Sequence, residues 1–153
     1  NPTVFGAILR GELPAAIVYE DDDVLCFRDI APAAAHHCLT IPKRHIRDIN
    51  HLTRQDVPLM QHMLQVACKI AAEDAGISNV EEARATGSLS LGYHRWPFIT
   101  VHHLHLHSIY PMPCKSWIDR LLKFPKSYSY LYVAADKAEV EASSRDGGGR
   151  SSL

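Results

Sequence analysis

The chain has 153 residues, of which 46% are hydrophobic and 22% are charged, and its formal net charge is −1. These values are ordinary for one globular domain with a sizeable core. They argue against a broad basic surface for nucleic acid, although a single nucleotide needs only a few local contacts, and no apolar run is long enough to span a membrane.

The first part of the chain predicts a short helix and three strands. Thr3 can cap a helix over residues 4–10, and Gly11 can end it. Residues 16–20 and 24–29 are strand-like and flank an acidic turn, which predicts a β-hairpin. A third strand is expected over residues 36–41.

One long helix and two further strands follow. Apolar residues recur at spacings of three and four between residues 53 and 75, and Thr53 with Asp56 resembles a capping box. Residues 88–93 and 101–110 are the fourth and fifth predicted strands. Short connections between successive strands favour an α+β fold in which the long helix packs on an antiparallel sheet.

The C-terminal part is predicted to be less ordered. We expect one domain over residues 1–135, including an apolar segment over 117–135, and a flexible or disordered tail over 136–153 that becomes rich in Gly and Ser. The four cysteines form no CxxC pair, which favours reduced thiols and a cytoplasmic or nuclear location.

The most informative motif is the alternation of histidine and leucine from His103 to His107. In a strand, residues at i, i+2 and i+4 share a face, so His103, His105 and His107 would form a row of imidazoles with Leu104 and Leu106 behind them. Such a row suits proton transfer, nucleophilic attack or phosphate binding near neutral pH. A solvated strand face and a zinc site are the competing interpretations, but no carboxylate that would orient zinc ligands lies nearby in sequence.

These residues resemble the histidine-triad family of nucleotide hydrolases and transferases. Residues 103–109 follow its His-φ-His-φ-His-φ-φ motif, where φ is apolar, except that Ser108 occupies an apolar position. Residues 3–15, 26–32 and 37–46 are similar to the family's opening helix, ribose-binding stretch and following strand. The resemblance implies a histidine-triad fold with a five-stranded antiparallel sheet, one long helix and a short N-terminal helix.

The loop before the triad narrows the resemblance to one branch. Residues 92–98 depart from the Asn- and Gly-rich loop of the best-known phosphoramidase members. They are similar to the branch of the third and fourth histidine-triad nucleotide-binding proteins and to aprataxin's catalytic domain. No zinc-finger pattern of the aprataxin kind follows residue 114, which argues against repair of DNA ends.

The resemblance implies a role for each residue of the site. His105 matches the nucleophile, His103 and His37 match residues that orient its ring through hydrogen bonds, and His107 matches the residue that contacts the phosphate and assists the leaving group. The resemblance also implies that the carboxylate of Asp29 binds the ribose. The residues that match those enclosing the base are Phe5, Ile8, Leu13, Phe27 and Ile30. Weaker candidates are Arg28 beside the base and, near the phosphate, His94 and Thr100. The histidines at 36, 45, 51 and 62 are interpreted as surface residues.

The activity implied is hydrolysis of adenosine 5′-monophosphoramidate or of acyl- or aminoacyl-adenylates through a nucleotidyl-histidine intermediate. There are two alternatives. One is phosphorolysis or hydrolysis of adenylyl sulfate, and the other is a regulatory nucleotide-binding role. We expect a purine nucleotide of the AMP type as substrate, no cofactor or metal, no nucleic-acid or membrane partner, and a homodimer formed through the long helix and the strand near residues 88–93.

Overall fold

The computed structural model describes residues 1–95, 99–112 and 132–145. Its strands are β1 to β6, in chain order Ile17–Glu20, Val24–Arg28, His36–Pro42, Ser90–His94, Leu106–Tyr110 and Tyr132–Ala134. Its α-helices are α1 to α4, in chain order Val4–Leu9, Val57–Ala75, Val80–Thr86 and Ala135–Ser143. Two 3-10 turns, Ile49–His51 and Arg54–Asp56, precede α2.

The described strands form one antiparallel sheet in the order β1-β2-β3-β5-β4-β6. The α+β class, the long helix and the short N-terminal helix are therefore confirmed, but the sheet has six strands where five were expected. None of the helices in the described part of the chain has the length and apolar character needed to cross a bilayer.

Local signals set the helix ends where the sequence indicated. The Thr3 hydroxyl accepts from the Gly6 amide at 3.1 Å at the start of α1. Thr53 and Asp56 form the predicted capping box, although residues 54–56 are a 3-10 turn and the α-helix begins at Val57. Gly76 ends the helix with a φ of 64°, which a residue without a Cβ adopts easily.

The two faces of the sheet bury different sets of residues. Alternate residues of β2, β3 and β5 pack under α2 in the main core, which includes Val24, Leu104 and Leu106. The opposite face carries a smaller cluster beneath α1, made of Phe5, Leu25, Phe27, Leu39 and Ile41. Because α1 is only six residues long, this second face is incompletely covered.

The C-terminal part differs from the expectation. Residues 136–143, assigned to a flexible tail, belong to α4, and Ala138 and Ala142 are buried in the main core. β6 lies on the outer edge of β4, so both edges of β4 are paired within the chain. The apolar segment at 117–131 and the tail beyond residue 145 lie outside the described residues.

Candidate active site

A cavity of about 630 Å³ opens on the sheet face beneath α1. Most of the predicted nucleotide contacts line it, and so do two histidines of the triad: Phe5, Ile8, Leu13, Phe27, Arg28, Asp29, Ile30, Thr100, His105 and His107. The walls are mainly apolar, and the polar lining residues are the two histidines, Asp29, Arg28 and Thr100. This is the usual character of a small-molecule site.

The expected strand over residues 101–110 is shorter in the structure. β5 begins at Leu106, so His103 and His105 lie in the segment that precedes the strand. The Leu104 amide donates to the Ile46 carbonyl at 2.7 Å, outside the sheet ladder. The alternation survives nonetheless, because Leu104 and Leu106 enter the main core while His103 and His105 both contact the Phe5 ring.

His105 lies in the cavity wall with one ring nitrogen committed to the backbone. Its Nδ1 donates to the His103 carbonyl at 2.7 Å, so in the neutral ring Nε2 carries the lone pair. Phe5 stands edge-on at 5.2 Å between ring centroids. Burial lowers the pKa of His105 to about 4, so the ring is neutral at pH 7.

His107 and His37 form a second hydrogen-bonded unit. The Ala33 amide donates to His37 Nδ1 at 3.0 Å, which leaves the His37 proton on Nε2, 3.0 Å from His107 Nδ1. His107 then accepts at Nδ1 and carries its own proton on Nε2. Burial lowers the pKa of both rings, which keeps this arrangement neutral at pH 7.

The placement of His37 differs from its expected role beside His105. Its ring bonds to His107, and its Nε2 lies 3.5 Å from Asp29 Oδ2. Leu39 is paired with His107 in the sheet, so their side chains point to the same face. His37 is two residues before Leu39 on β3, so its side chain also points to that face. The His37 ring therefore supports the third histidine of the triad.

His103 touches neither the cavity nor the His105 ring through its side chain. Its Nε2 donates to the Pro42 carbonyl at 2.8 Å, and its Nδ1 lies 2.6 Å from Asn1 Nδ2. The atom of His103 that orients His105 is the backbone carbonyl. The His103 ring anchors the segment that holds this carbonyl.

Asp29 is held at the end of β2. One carboxylate oxygen accepts from the Ala31 amide at 2.8 Å, and the other faces His37. The Asp29 amide in turn donates to the His37 carbonyl at 2.9 Å. A carboxylate at the cavity wall has the acceptors needed for two hydroxyl groups of a ribose.

His94 lies at the end of β4, outside the wall of the large cavity. Its ring is 4.5 Å from that of His107, and it borders a smaller cleft together with His103 and His105. Two groups of possible metal ligands lie here within the described residues. Ring nitrogens of His94, His105 and His107 lie within 4.8 Å of one another. Ligand atoms of Asp29, His37 and His107 also lie within 4.8 Å of one another. Either group has the donors for a transition-metal ion.

Two interpretations made from the sequence need correction. Arg28 lines the cavity, but its guanidinium forms a bidentate ion pair with Asp74 at the end of α2. His36, interpreted as a surface residue, is only 1% exposed, and it bonds to Asp74 and Ser108. The sequence around His36 gave no sign of these partners, because both come from other elements.

Sequence reasoning did not find several residues that build the site. Leu39, Val101 and the stretch from Pro14 to Ala16 line the cavity. The Ala33 amide fixes the His37 ring. Alternation along β3 places Leu39 on the same face as His37, so the period of the strand was the available signal for that residue.

The sequence model of a family described as "Scavenger mRNA decapping enzyme C-term binding" matches residues 2–120. Over 128 residues the chain is 33% identical to adenosine 5′-monophosphoramidase HINT3 of Xenopus tropicalis, covering 84% of this chain and 78% of that protein. The chain belongs to the histidine-triad family.

Other similar proteins belong to the same branch and fold. The bifunctional adenosine 5′-phosphosulfate phosphorylase/adenylylsulfatase HINT4 of Arabidopsis thaliana is 38% identical, over 68% of this chain and 66% of that protein. A crystal structure of a HIT family hydrolase from Legionella pneumophila is 34% identical with a TM-score of 0.62, over 74% of this chain and 96% of the other. The branch expected from the loop before the triad is thus confirmed.

Proposed function

We propose that this histidine-triad hydrolase cleaves adenosine 5′-monophosphoramidate or acyl- and aminoacyl-adenylates and releases AMP. The observation that carries the proposal is the Nε2 lone pair of His105 at the wall of a cavity of nucleotide size. The similarity to a protein named as an adenosine 5′-monophosphoramidase supports the choice of substrate.

The reaction proceeds in two displacements. Binding of the anionic phosphate brings one additional proton onto the His37–His107 pair. His105 Nε2 attacks the α-phosphorus, the P–N or P–O bond to the leaving group breaks, and the leaving group takes the Nε2 proton of His107, which leaves both rings of the pair neutral. Water then attacks the phosphorus of the nucleotidyl-histidine, returns a proton to His107 and frees the His105 ring. Covalent catalysis of this kind replaces one difficult displacement by two easier ones.

The same cavity accounts for nucleotide binding. Phe5, Ile8, Leu13, Phe27 and Ile30 supply apolar walls for the base, and Asp29 accepts from the ribose hydroxyls. His107, with His94 beside it, lies at the phosphate end, and Thr100 also lines the cavity. Arg28 borders the cavity, but its guanidinium is paired with Asp74 of α2.

Substitution of the proposed nucleophile tests this function. We expect His105→Ala and His105→Asn to abolish turnover of adenosine 5′-monophosphoramidate while AMP still binds, measured by product release and by calorimetry. The control is His102→Asn, because His102 is exposed next to the triad and should keep wild-type turnover. Turnover retained by both His105 variants would refute the assignment.

A second candidate activity is cleavage of adenylyl sulfate, favoured by the similarity to a phosphorylase/adenylylsulfatase. Its first step is identical, and the acceptor in the second step is phosphate or water. Supplying adenylyl sulfate with and without inorganic phosphate, and separating AMP from ADP, distinguishes the two acceptors. No turnover of either donor, with AMP binding retained, would favour a regulatory nucleotide-binding role.

A further inference from the structure

A second polar cluster lies on the opposite face of the sheet, beneath α2. His36 and Cys38 come from β3, and Asp74 comes from the last turn of α2. Asp74 Oδ2 lies 2.7 Å from His36 Nδ1, and Cys38 Sγ lies 3.9 Å from the same nitrogen. The three ligand atoms all fall within 4.8 Å of one another.

The three donors are of the types that zinc prefers. Imidazole nitrogen, thiolate sulfur and carboxylate oxygen are the common protein ligands of Zn²⁺, and a sulfur in the set favours it over Mg²⁺ or Ca²⁺. The cluster takes no part in the proposed hydrolysis, because β3 alternates and places His37 on the cavity face and His36 on this one.

His36 is already oriented as a metal-binding histidine. Its Nε2 lies 2.8 Å from the Ser108 hydroxyl, so Nδ1 faces Asp74 and Cys38. Metal-binding histidines usually hold an acceptor on their second nitrogen in this way. Ser108 is the residue that departs from the apolar pattern of the family motif, and its hydroxyl is the hydrogen-bond partner of His36 Nε2.

The cluster is connected to solvent through Asp74. The Asp74 side chain is 17% exposed, while His36 and Cys38 are fully buried. Arg28 covers the carboxylate from outside, with its own side chain 46% exposed. An ion can reach the site by displacing this flexible guanidinium from Asp74 Oδ2 while Oδ1 keeps its contact with Arg28.

We infer that His36, Cys38 and Asp74 form a binding site for Zn²⁺ separate from the nucleotide cavity. Binding releases the Cys38 thiol proton and the proton that His36 Nδ1 donates to Asp74, and the single remaining proton of His36 lies on Nε2 and is donated to Ser108. A thiolate and a carboxylate balance the charge of the ion. The fourth position of the tetrahedron is open to a water molecule on the Asp74 side.

Small movements bring the Asp74 oxygen and the Cys38 sulfur to metal-site separations from the His36 nitrogen, while the sulfur and the oxygen lie within 4.8 Å of each other. Typical zinc bond lengths of about 2.0–2.3 Å place tetrahedral ligand atoms roughly 3.3–3.6 Å apart. The nitrogen–sulfur pair must close by a few tenths of an ångström, and the nitrogen–oxygen pair must open by less than 1 Å. Rotation of the partly exposed Asp74 side chain supplies the larger of these two changes.

Cobalt titration of the chelator-treated full chain tests the site. We expect one Co²⁺ per chain, a thiolate-to-cobalt charge-transfer band, loss of that band on addition of Zn²⁺, and a higher unfolding temperature with Zn²⁺. Cys38→Ala and Asp74→Asn should each weaken Co²⁺ binding at least tenfold. Asp74→Asn is the informative variant where loss of a buried thiol impairs folding.

Two controls separate this site from other metal-binding groups. Cys68→Ala removes a thiol of α2 away from the cluster and should leave the band unchanged. His105→Ala disrupts the histidine group on the cavity face and should also keep it. Absence of stoichiometric binding, or binding that survives in Cys38→Ala and disappears in His105→Ala, would overturn the inference.

Discussion

Two buried histidines of this protein have pKa values shifted in opposite directions. Burial lowers the pKa of His105 to about 4, since its main partner is a neutral backbone carbonyl. Burial acts in the same direction on His36, but bonds to Cys38 and the Asp74 carboxylate outweigh it and raise the pKa. One residue type therefore supplies a neutral ring in the cavity and a readily protonated ring behind the sheet.

The pH dependence of turnover should reflect the environment of His105. Its neutral form is required for attack, and its pKa of about 4 lies below the ordinary 6.5, so activity should persist on acidification past pH 6.5. The acid limb of kcat/KM, corrected for spontaneous hydrolysis, measures this. An acid limb centred near pH 6.5 would contradict the assignment.

The lowered pKa of His105 also makes the stability of the folded chain depend on pH. Since the pKa of His105 is depressed in the folded chain, its contribution to stability is complete above pH 6.5 and is lost as the pH falls towards 4.

Loss of His107 should slow the first displacement more than it weakens binding. In His107→Asn, the leaving group has no proton donor at that position, and we expect kcat to fall about 10²- to 10⁴-fold. A substrate with a phenolate leaving group, which needs no proton, should recover most of the rate. Stopped-flow comparison of the two substrates measures the difference, and equal losses for both would contradict the role.

The sequence predicted most of the residues that line the cavity, but not the hydrogen bonds of its histidines, and His94 and His103 lie outside the cavity wall. The alternation from His103 to His107 was sufficient to place three histidines on one side. The bond from His37 to His107 depends on the Ala33 amide, which belongs to a loop whose path no local pattern fixes. Likewise, the partner of Arg28 lies 46 residues away on α2.

At the scale of elements, β3 and β5 carry different chemistry on their two faces. His37 and His107 meet on the cavity face, while His36 and Ser108 meet on the other. The two pairs belong to the same stretch of ladder, in which Cys38 is paired with Ser108. A change on the back face therefore acts on strands that also position the triad.

The His36–Ser108 contact should be measurable as a coupling between two substitutions. Ser108→Val removes the partner of a fully buried ring nitrogen and should destabilise the chain by about 1–3 kcal/mol. The double variant His36→Leu with Ser108→Val should lose less than the sum of the single variants, with a coupling of about 0.5–3 kcal/mol. Urea unfolding in the presence of chelator gives all three values, and strict additivity would contradict the contact.

The predicted elements hold best where local signals are strong. Caps, a helical period and an acidic turn predicted α1, α2 and the β1–β2 hairpin. β5 starts at Leu106 because the Leu104 amide bonds to the Ile46 carbonyl, a non-local contact. α3, β6 and α4 were missed because α3 is short and the C-terminal pair forms only against β4 and α2.

At the scale of the whole molecule, the C-terminal segment closes the sheet on the side of His94. β6 pairs with β4 up to His94. Arg95, the residue after His94, forms an ion pair with Glu141 of α4. Gln61 of α2 also donates to Glu139 of α4 at 2.6 Å. The segment thus supports the strand that brings His94 towards His107.

Burial of α4 can be tested with one introduced charge at two positions. Ala138→Glu places a carboxylate in the main core and should cost several kcal/mol. Val140→Glu puts the same group at a position 70% exposed on the same helix and should change stability little. Thermal unfolding of both variants measures the contrast, and similar midpoints would show that α4 is not packed as described.

The resemblance predicts a homodimer, but the edge of β4 expected to carry the contact is paired with β6 of the same chain. We therefore expect a second copy to pack against the outer surface of α2. Sedimentation velocity over a range of concentrations measures this, and a monomer at every concentration would contradict it.

Arg145 connects the end of α4 to the turns that precede α2. Its carbonyl accepts from the Arg54 amide at 3.2 Å, and its guanidinium donates to the Ile49 carbonyl at 2.6 Å. A gene fragment that stops at the end of the triad motif would leave the Arg54 amide and the Ile49 carbonyl without these partners. It would also expose the edge of β4 that β6 covers. The boundary for expressing a self-sufficient folding unit accordingly falls at or beyond residue 145, well past His107, the last of the described residues that line the nucleotide cavity.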